Sequence, residues 1–362
     1  MRSTPHAPPS PLTGPATRPA TGPLTGLLSG LNPVLLVALL SCVALAACGS
    51  DGPKQLTKTQ KLGLYLENSL RYYEMGDLDR AQDQAQRALK LDPKNERFLL
   101  MLGKIHLNRD TTEDILIAER IFERHPNQKD YRVKLGLGAA LERKGTLEDQ
   151  ASVAIRSGQR YTDHADPERR AEELEELAKK HWKRAYQQYE LAIAYHSGEI
   201  AATNGLIRTS GLLGWDARSI EWARALIKAL GASTTVRRLE LEEVAIDAEH
   251  ERKLRASIRA NTDLTVQSHE YVAEIYYRMG RKDDALEELS RVIELDPERN
   301  LAYSRRAQLF YEAGQYLAAK DSIQRYLRLS TDLPFEDENI RGAYELLTQC
   351  EVALASGGSG GP

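Results

Sequence analysis

From Leu62 onward, apolar residues recur three and four positions apart, the spacing that puts them on one face of a helix; Leu286, Leu289, Val292 and Ile293 are a clear example. The helical stretches are short because the chain interrupts them at regular places. Met75-Gly76-Asp77, Met279-Gly280-Arg281 and Ala313-Gly314-Gln315 each break the periodicity where a tight turn would join two antiparallel helices, with glycine free to take the left-handed cap. Leu91-Asp92-Pro93 and Leu295-Asp296-Pro297 end the helix that follows, since proline lacks an N–H and restricts the residue before it. Between these marks Ala81, Ala88 and Ala285 are small at points where neighbouring helices must come close.

The pattern repeats. Tyr72 and Tyr276, Gly76 and Gly280, Ala81 and Ala285, and Pro93 and Pro297 are each 204 positions apart, six lengths of 34. Ala273 and Ala307, Gly280 and Gly314, and Ala285 and Ala319 are separated by 34 directly. A helix pair with this period and these landmarks resembles the tetratricopeptide repeat. The resemblance implies an all-α solenoid of stacked helix hairpins, each covering the apolar flank of its neighbour.

Turn residues continue in phase through the middle at Asp110, Gly145 and Gly214, and helix terminators at Pro126 and Gly231, which predicts about eight units over residues 62–333. Two intervals lack a breaker. Asp166–Tyr195 has no glycine and only Pro167 near its start, and Val236–Asn261 has neither glycine nor proline. Each is a single long helix or a hairpin with a polar turn. The phase of the flanking units favours a hairpin in both, the first turning at Lys179-Lys180-His181 and the second around Asp247. An amphipathic stretch, Glu338–Ala355, would cap the last unit. The body is therefore assigned to residues 61–334, the capping helix to 335–355, and a Gly/Ser tail to 356–362.

The first 47 residues read differently. Residues 1–30 are rich in Pro, Thr, Gly and Ser, a composition that favours disorder. The apolar run Leu31–Ala47 is short for a bilayer span and ends in small residues, as a cleaved export signal does. Its end, Leu45-Ala46-Ala47-Cys48, resembles the lipobox of bacterial lipoproteins. That resemblance implies cleavage before Cys48, a diacylglycerol on its thiol and a fatty-acyl chain such as palmitate on its new amino group, an anchor of stable strength. Gly49 stands where a retained inner-membrane lipoprotein would carry Asp, which points to an outer membrane, facing the periplasm, in a cell that has two. Residues 48–60 then form a lipidated, polar tether.

Composition narrows the partners. The chain has 362 residues, 41% hydrophobic and 28% charged, with net charge −3. Residues 1–50 hold Arg2, Arg18 and no acid, so the remainder carries −5, without the clustered Lys and Arg that nucleic acid requires. Cys42 and Cys48 fall in the targeting segment and leave Cys350 alone in the body, without a disulfide mate. His269-Glu270-Tyr271-Val272-Ala273 begins like a zinc-protease helix but has Ala in place of the second His, and His250-Glu251 fails in the same way. Gly136-Leu137-Gly138 lies inside a predicted helix with no strand before it. No phosphate loop, cysteine pair or nucleophile elbow is present, so no catalytic residue, metal ligand or cofactor site is assigned and the chain is not read as an enzyme.

In tetratricopeptide arrays the first helix of each unit lines a concave groove that holds partner proteins. Carried onto this chain, the recurring groove position is Tyr73, Tyr277 and Tyr311, with Glu270, Glu274 and Arg278 near Tyr277 and Arg305 and Gln308 in the next unit. Tyrosine offers rigid apolar area and a hydroxyl at low entropy cost; the same tyrosines could simply pack against adjacent first helices. The Lys/Asn pattern with which some family members clamp a terminal carboxylate is absent from the matching positions. The function implied is a membrane-anchored adaptor that holds a partner helix or extended peptide during cell-envelope assembly. An envelope enzyme or glycan/lipid binder carried on the repeats, or a self-associating structural lipoprotein, are the alternatives.

Overall fold

A computed structural model describes residues 56–159, 166–242, 247–334 and 337–357. The expected export signal, Cys48, the expected tether up to Gln55 and the residues beyond Gly357 lie outside the described residues. From Thr57 the described chain forms thirteen helices and no strand, stacked as a solenoid of antiparallel hairpins.

The first helix, α1 (Lys58–Glu74), starts with a reciprocal cap: Thr57 Oγ1 accepts from Gln60 N–H, and Gln60 Oε1 accepts from Thr57 N–H at 2.9 Å. It ends at Gly76, whose φ of 76° lets the chain reverse into α2 (Leu78–Leu91). Two backbone bonds close this turn, from Gly76 N–H to Tyr73 C=O and from Asp77 N–H to Tyr72 C=O. The same pair recurs from Gly280 to Tyr277 and Arg281 to Tyr276, and from Gly314 to Tyr311 and Gln315 to Phe310. These three turns are thus one repeated chemical device. Asp110, at φ 55°, serves between α3 (Glu96–Arg109) and α4 (Thr112–Glu123).

The middle departs from the expected count. α5 (Tyr131–Arg156) and α6 (Pro167–Tyr195) are 26 and 29 residues long. Gly145, read as a turn, is buried inside α5, where a Cβ would stand 2.7 Å from the Trp182 indole and 2.9 Å from the Ala178 carbonyl oxygen. Its glycine serves close helix approach. The turn expected at Lys179-Lys180-His181 does not occur either, because Ala171, Leu174, Ala178, Trp182, Ala185, Tyr189 and Ala192 form an unbroken buried stripe across it.

After α7 (Ile200–Leu212) the chain turns at Gly214 into α8 (Asp216–Leu241). That helix runs straight through Gly231, the expected terminator; no Cβ contact there forces a break. Near Asp247 a break does occur, since α8 ends at Leu241 and Asp247 caps α9 (Ala248–Arg278) through the N–H groups of Glu249 and His250. α10 (Lys282–Leu295), α11 (Asn300–Glu312), α12 (Tyr316–Leu329) and α13 (Glu338–Ala355) complete the body. The first twelve helices make six hairpins where eight were expected. One hairpin of doubled helices uses as many residues as two short ones, so counting periods cannot separate them.

Each helix packs chiefly on its neighbours in the chain, and the first helices of successive hairpins also touch, α1 on α3, α3 on α5 and α5 on α7. Burial is accordingly strung out in clusters, one around Ala81, Phe98 and Ile105, one around Phe122, Leu141 and Tyr189, and one around Leu226, Ile275 and Leu289. α13 lies over Tyr303, Ile323 and Tyr326 through Ile340 and Ala343.

Candidate functional site

On α9, Glu270, Ala273, Glu274 and Tyr277 fall on one face, and on α11 Arg305, Gln308, Leu309 and Glu312 do the same. Where these faces meet, Ala273, Leu289 of α10 and Leu309 form an apolar floor, with Glu274, Tyr277, Arg305 and Gln308 around it, enclosing a cleft of about 120 Å³. The three floor residues are buried, whereas Tyr277 is 41% exposed.

The rim has two unlike ends. At one, Tyr277 Oη donates to Glu312 Oε1 at 3.1 Å, Gln308 Nε2 donates to the same oxygen at 3.0 Å, and Lys282 Nζ of α10 lies 2.8 Å from Oε2. Lys282 and Gln308 hold the Glu312 carboxyl below the usual glutamate range, outweighing its partial burial. Tyr277 is pushed up, first by desolvation and then by its bond to the Glu312 carboxylate. At the other end Arg305 and Glu274 approach only to 3.9 Å.

Of the eight positions singled out in the sequence, Glu274, Tyr277, Arg305 and Gln308 come together around this cleft. The other four lie elsewhere. Glu270 accepts two bonds from Arg299, at 2.9 and 2.8 Å, and Arg278 donates to Asp216 of α8 at 2.9 Å. Tyr311 stacks edge-on against Tyr316 of α12, with ring centroids 5.5 Å apart. Tyr73, in the first hairpin, accepts from Asn108 Nδ2 of α3 at 2.9 Å.

Reasoning from sequence missed Glu312, Lys282 and the three floor residues. One signal could have found the first: Asn108 lies 35 residues after Tyr73 and Glu312 lies 35 after Tyr277, so each tyrosine reaches the same place on the next first helix. Among the described residues no group of three or more His, Cys, Asp or Glu could hold a metal ion, and no helix is long and apolar enough to cross a membrane.

The sequence model for the tetratricopeptide repeat matches residues 66–128 and 273–334, the second of which spans the cleft. The chain carries tetratricopeptide repeats in both segments. The first covers α1 to α4, the second the last turns of the 31-residue α9 with α10 to α12, and neither enters α5, α6, α7 or α8. No curated protein matches the chain. Among solved structures it is similar to a thermophilic tetratricopeptide-repeat protein of Thermus thermophilus, at 16% identity over 70% of this chain and 100% of the other, with a TM-score of 0.39. It is also similar to PilF of Pseudomonas aeruginosa, at 11% identity over 83% and 95% of the two chains and a TM-score of 0.32. A third is the TPR2AB domain of yeast Sti1 in its complex with pHSP90, at 14% identity, 80% and 98% coverage and a TM-score of 0.27. At these scores the superpositions are loose, and the family assignment rests on the repeat model and the hairpin geometry. Repeat proteins of this family are in general non-catalytic scaffolds for protein–protein interaction.

Proposed function

We propose that this repeat protein is a lipid-anchored adaptor that holds a partner protein at the cleft between α9 and α11. The observation carrying the proposal is that Glu274, Tyr277, Arg305 and Gln308 surround an apolar floor on the first-helix side of two adjacent repeats. An exposed tyrosine beside a dry floor and a polar rim is the composition of an interaction hot spot. The anchor is Cys48, read from Leu45-Ala46-Ala47-Cys48, and in a cell with two membranes Gly49 directs the lipidated chain to the outer one, where the body faces the periplasm and serves envelope assembly.

Two experiments test the two halves. Tyr277→Ala should lose the partner recovered by crosslinking and pulldown of the solubilised chain; undiminished recovery removes the groove. Cys48→Ser should abolish incorporation of labelled palmitate and release the protein from the membrane fraction; a variant that stays membrane-bound removes the anchor.

A further inference from the structure

The two ends of the body carry opposite charge. Residues 51–66 hold Lys54, Lys58 and Lys61 against Asp51 alone, a net of +2 at the start of a body that carries −5. Residues 331–362 hold six acids against Arg341, a net of −5. The helices repeat the contrast: α1 has no acid in its first turn, where Lys58 and Lys61 stand, whereas Asp337 caps α13 and Glu338 follows it.

The two ends also differ in cover. α13 lies over the last hairpin, but α1 is the first helix of the described residues and shows a second side to solvent. Leu62, Tyr65 and Leu66 turn inward to the first cluster. Leu64, Arg71 and Met75, spaced seven and four apart, fall on the opposite side, with Leu64 46% and Met75 72% exposed. Two apolar side chains are too little area for a stable protein interface. Beside lysines, they suit the headgroup region of a bilayer, which takes up exposed apolar groups and attracts cations where its lipids are anionic. Chain length supplies the proximity. Cys48 precedes Thr57 by nine residues, a reach of at most about 32 Å. A linker so short gives a local concentration of about millimolar, so a weak surface contact suffices.

We infer that the start of α1, through Lys58, Lys61 and Leu64, rests on an anionic lipid surface, and that the solenoid stands on its first hairpin with the α9–α11 cleft toward the far end. This rests on the anchor at Cys48 proposed above. Glu67 and Glu74, further along α1, and the acids of α13 are repelled by the same surface, which confines contact to the start of the stack.

The test uses the lipidated full-length protein in vesicles of phosphatidylcholine, alone or mixed with phosphatidylglycerol. A nitroxide is placed at Leu64→Cys or, for comparison, at Val352→Cys on α13, which is 63% exposed; Cys350 is buried and stays unlabelled. Relaxation by dioxygen dissolved in lipid, against a water-soluble nickel chelate, reads contact with the bilayer. The Leu64→Cys label should sense lipid on the anionic vesicles and lose that contact on the neutral ones, or in about 1 M salt, where screening acts within about 3 Å. Lys58→Gln with Lys61→Gln should lower the docked fraction relative to the undocked about 25-fold, about fivefold for each lysine. The Val352→Cys label should stay in water throughout. A protein held on both vesicles whose Leu64→Cys label stays in water, or senses lipid equally on both, overturns the inference and leaves the anchor intact. So does lipid contact at Val352→Cys. A chain that floats free of the neutral vesicles removes the anchor, and the inference with it.

Discussion

The α9–α12 segment and the α5–α6 hairpin do the same job, covering a neighbour's apolar flank, by different means. After the 31-residue α9, the helices α10, α11 and α12 are 14, 13 and 14 residues long and are separated by turns or proline stops, with Gly280 and Gly314 each at φ 73°. α5 and α6 omit the internal turns and run side by side for about twice that length, with Gly145 set against the Trp182 indole. Glycine therefore has opposite uses in the two regions: it reverses the chain in one and lets two helices touch in the other. The comparison also locates the binding surface. The turns at Gly280 and Gly314 set the end of α9 beside α10 and α11 at the cleft, while the α5–α6 pair invests its small residues in its own shared interface.

The largest effect should come from breaking the long helix. Lys180 is exposed and lies midway along α6. Lys180→Pro removes an internal hydrogen bond and clashes with the preceding turn, a loss of about 3 kcal/mol or more in denaturant unfolding. If residues 179–181 formed a turn instead, the same change would leave the unfolding midpoint almost untouched. Next in size is Gly145→Ala. The added methyl meets an indole and a backbone carbonyl at less than 3 Å, and overpacking of this kind costs about 1–3 kcal/mol.

Two more glycines sharpen the contrast. Gly280→Ala finds open space, yet its left-handed φ costs an L-residue about 1–2 kcal/mol. Gly231→Ala sits in an exposed turn of α8 with no atom near the new methyl, and should raise stability by about 0.5–1 kcal/mol through helix propensity. A Gly231→Ala protein that melts earlier than the parent would mean that α8 is broken there after all.

What could be read in advance follows the same division. The regular hairpins were legible because three independent signals coincide in them: apolar spacing, a turn glycine and a proline stop, as in Gly280 followed by Pro297. The middle was legible as helical and misleading in its turns, because residue type alone does not say whether a glycine faces a turn or a neighbouring helix. The stripe from Ala171 to Ala192 holds the better evidence: its spacing crosses Lys179-Lys180-His181 without a phase slip, as a hairpin could not. For the cleft, the repeat register supplied Glu274, Tyr277, Arg305 and Gln308. It could not supply Lys282 or Leu289, which come from the intervening second helix. Nor could it tell that Arg278 turns away to Asp216.

The smallest effects are in titration, where the two regions should behave oppositely. In the long hairpin Glu148 is pushed up chiefly by burial; one of its carboxyl oxygens has no hydrogen-bond partner, and the other is 3.4 Å from His181 Nε2. Burial also pushes His181 down, so this pair favours its neutral forms. At the cleft Glu312 is pulled down by Lys282 and Gln308. A carboxyl raised in the folded state contributes stability that is complete below its unfolded pKa and is lost as pH rises through the folded one. One that is lowered contributes stability present above its unfolded pKa and lost as pH falls through the folded one. Acidification should therefore protonate Glu148 first, with His181 opposing any gain because its lowered pKa favours the unfolded chain as pH falls, and loosen the Tyr277–Glu312 contact only later. Carboxyl carbon NMR of the two glutamates would show Glu148 taking its proton at higher pH than Glu312, and Lys282→Gln should move the Glu312 midpoint upward while leaving Glu148 in place. The reverse order would mean that the cleft, and not the hairpin, is the drier of the two environments.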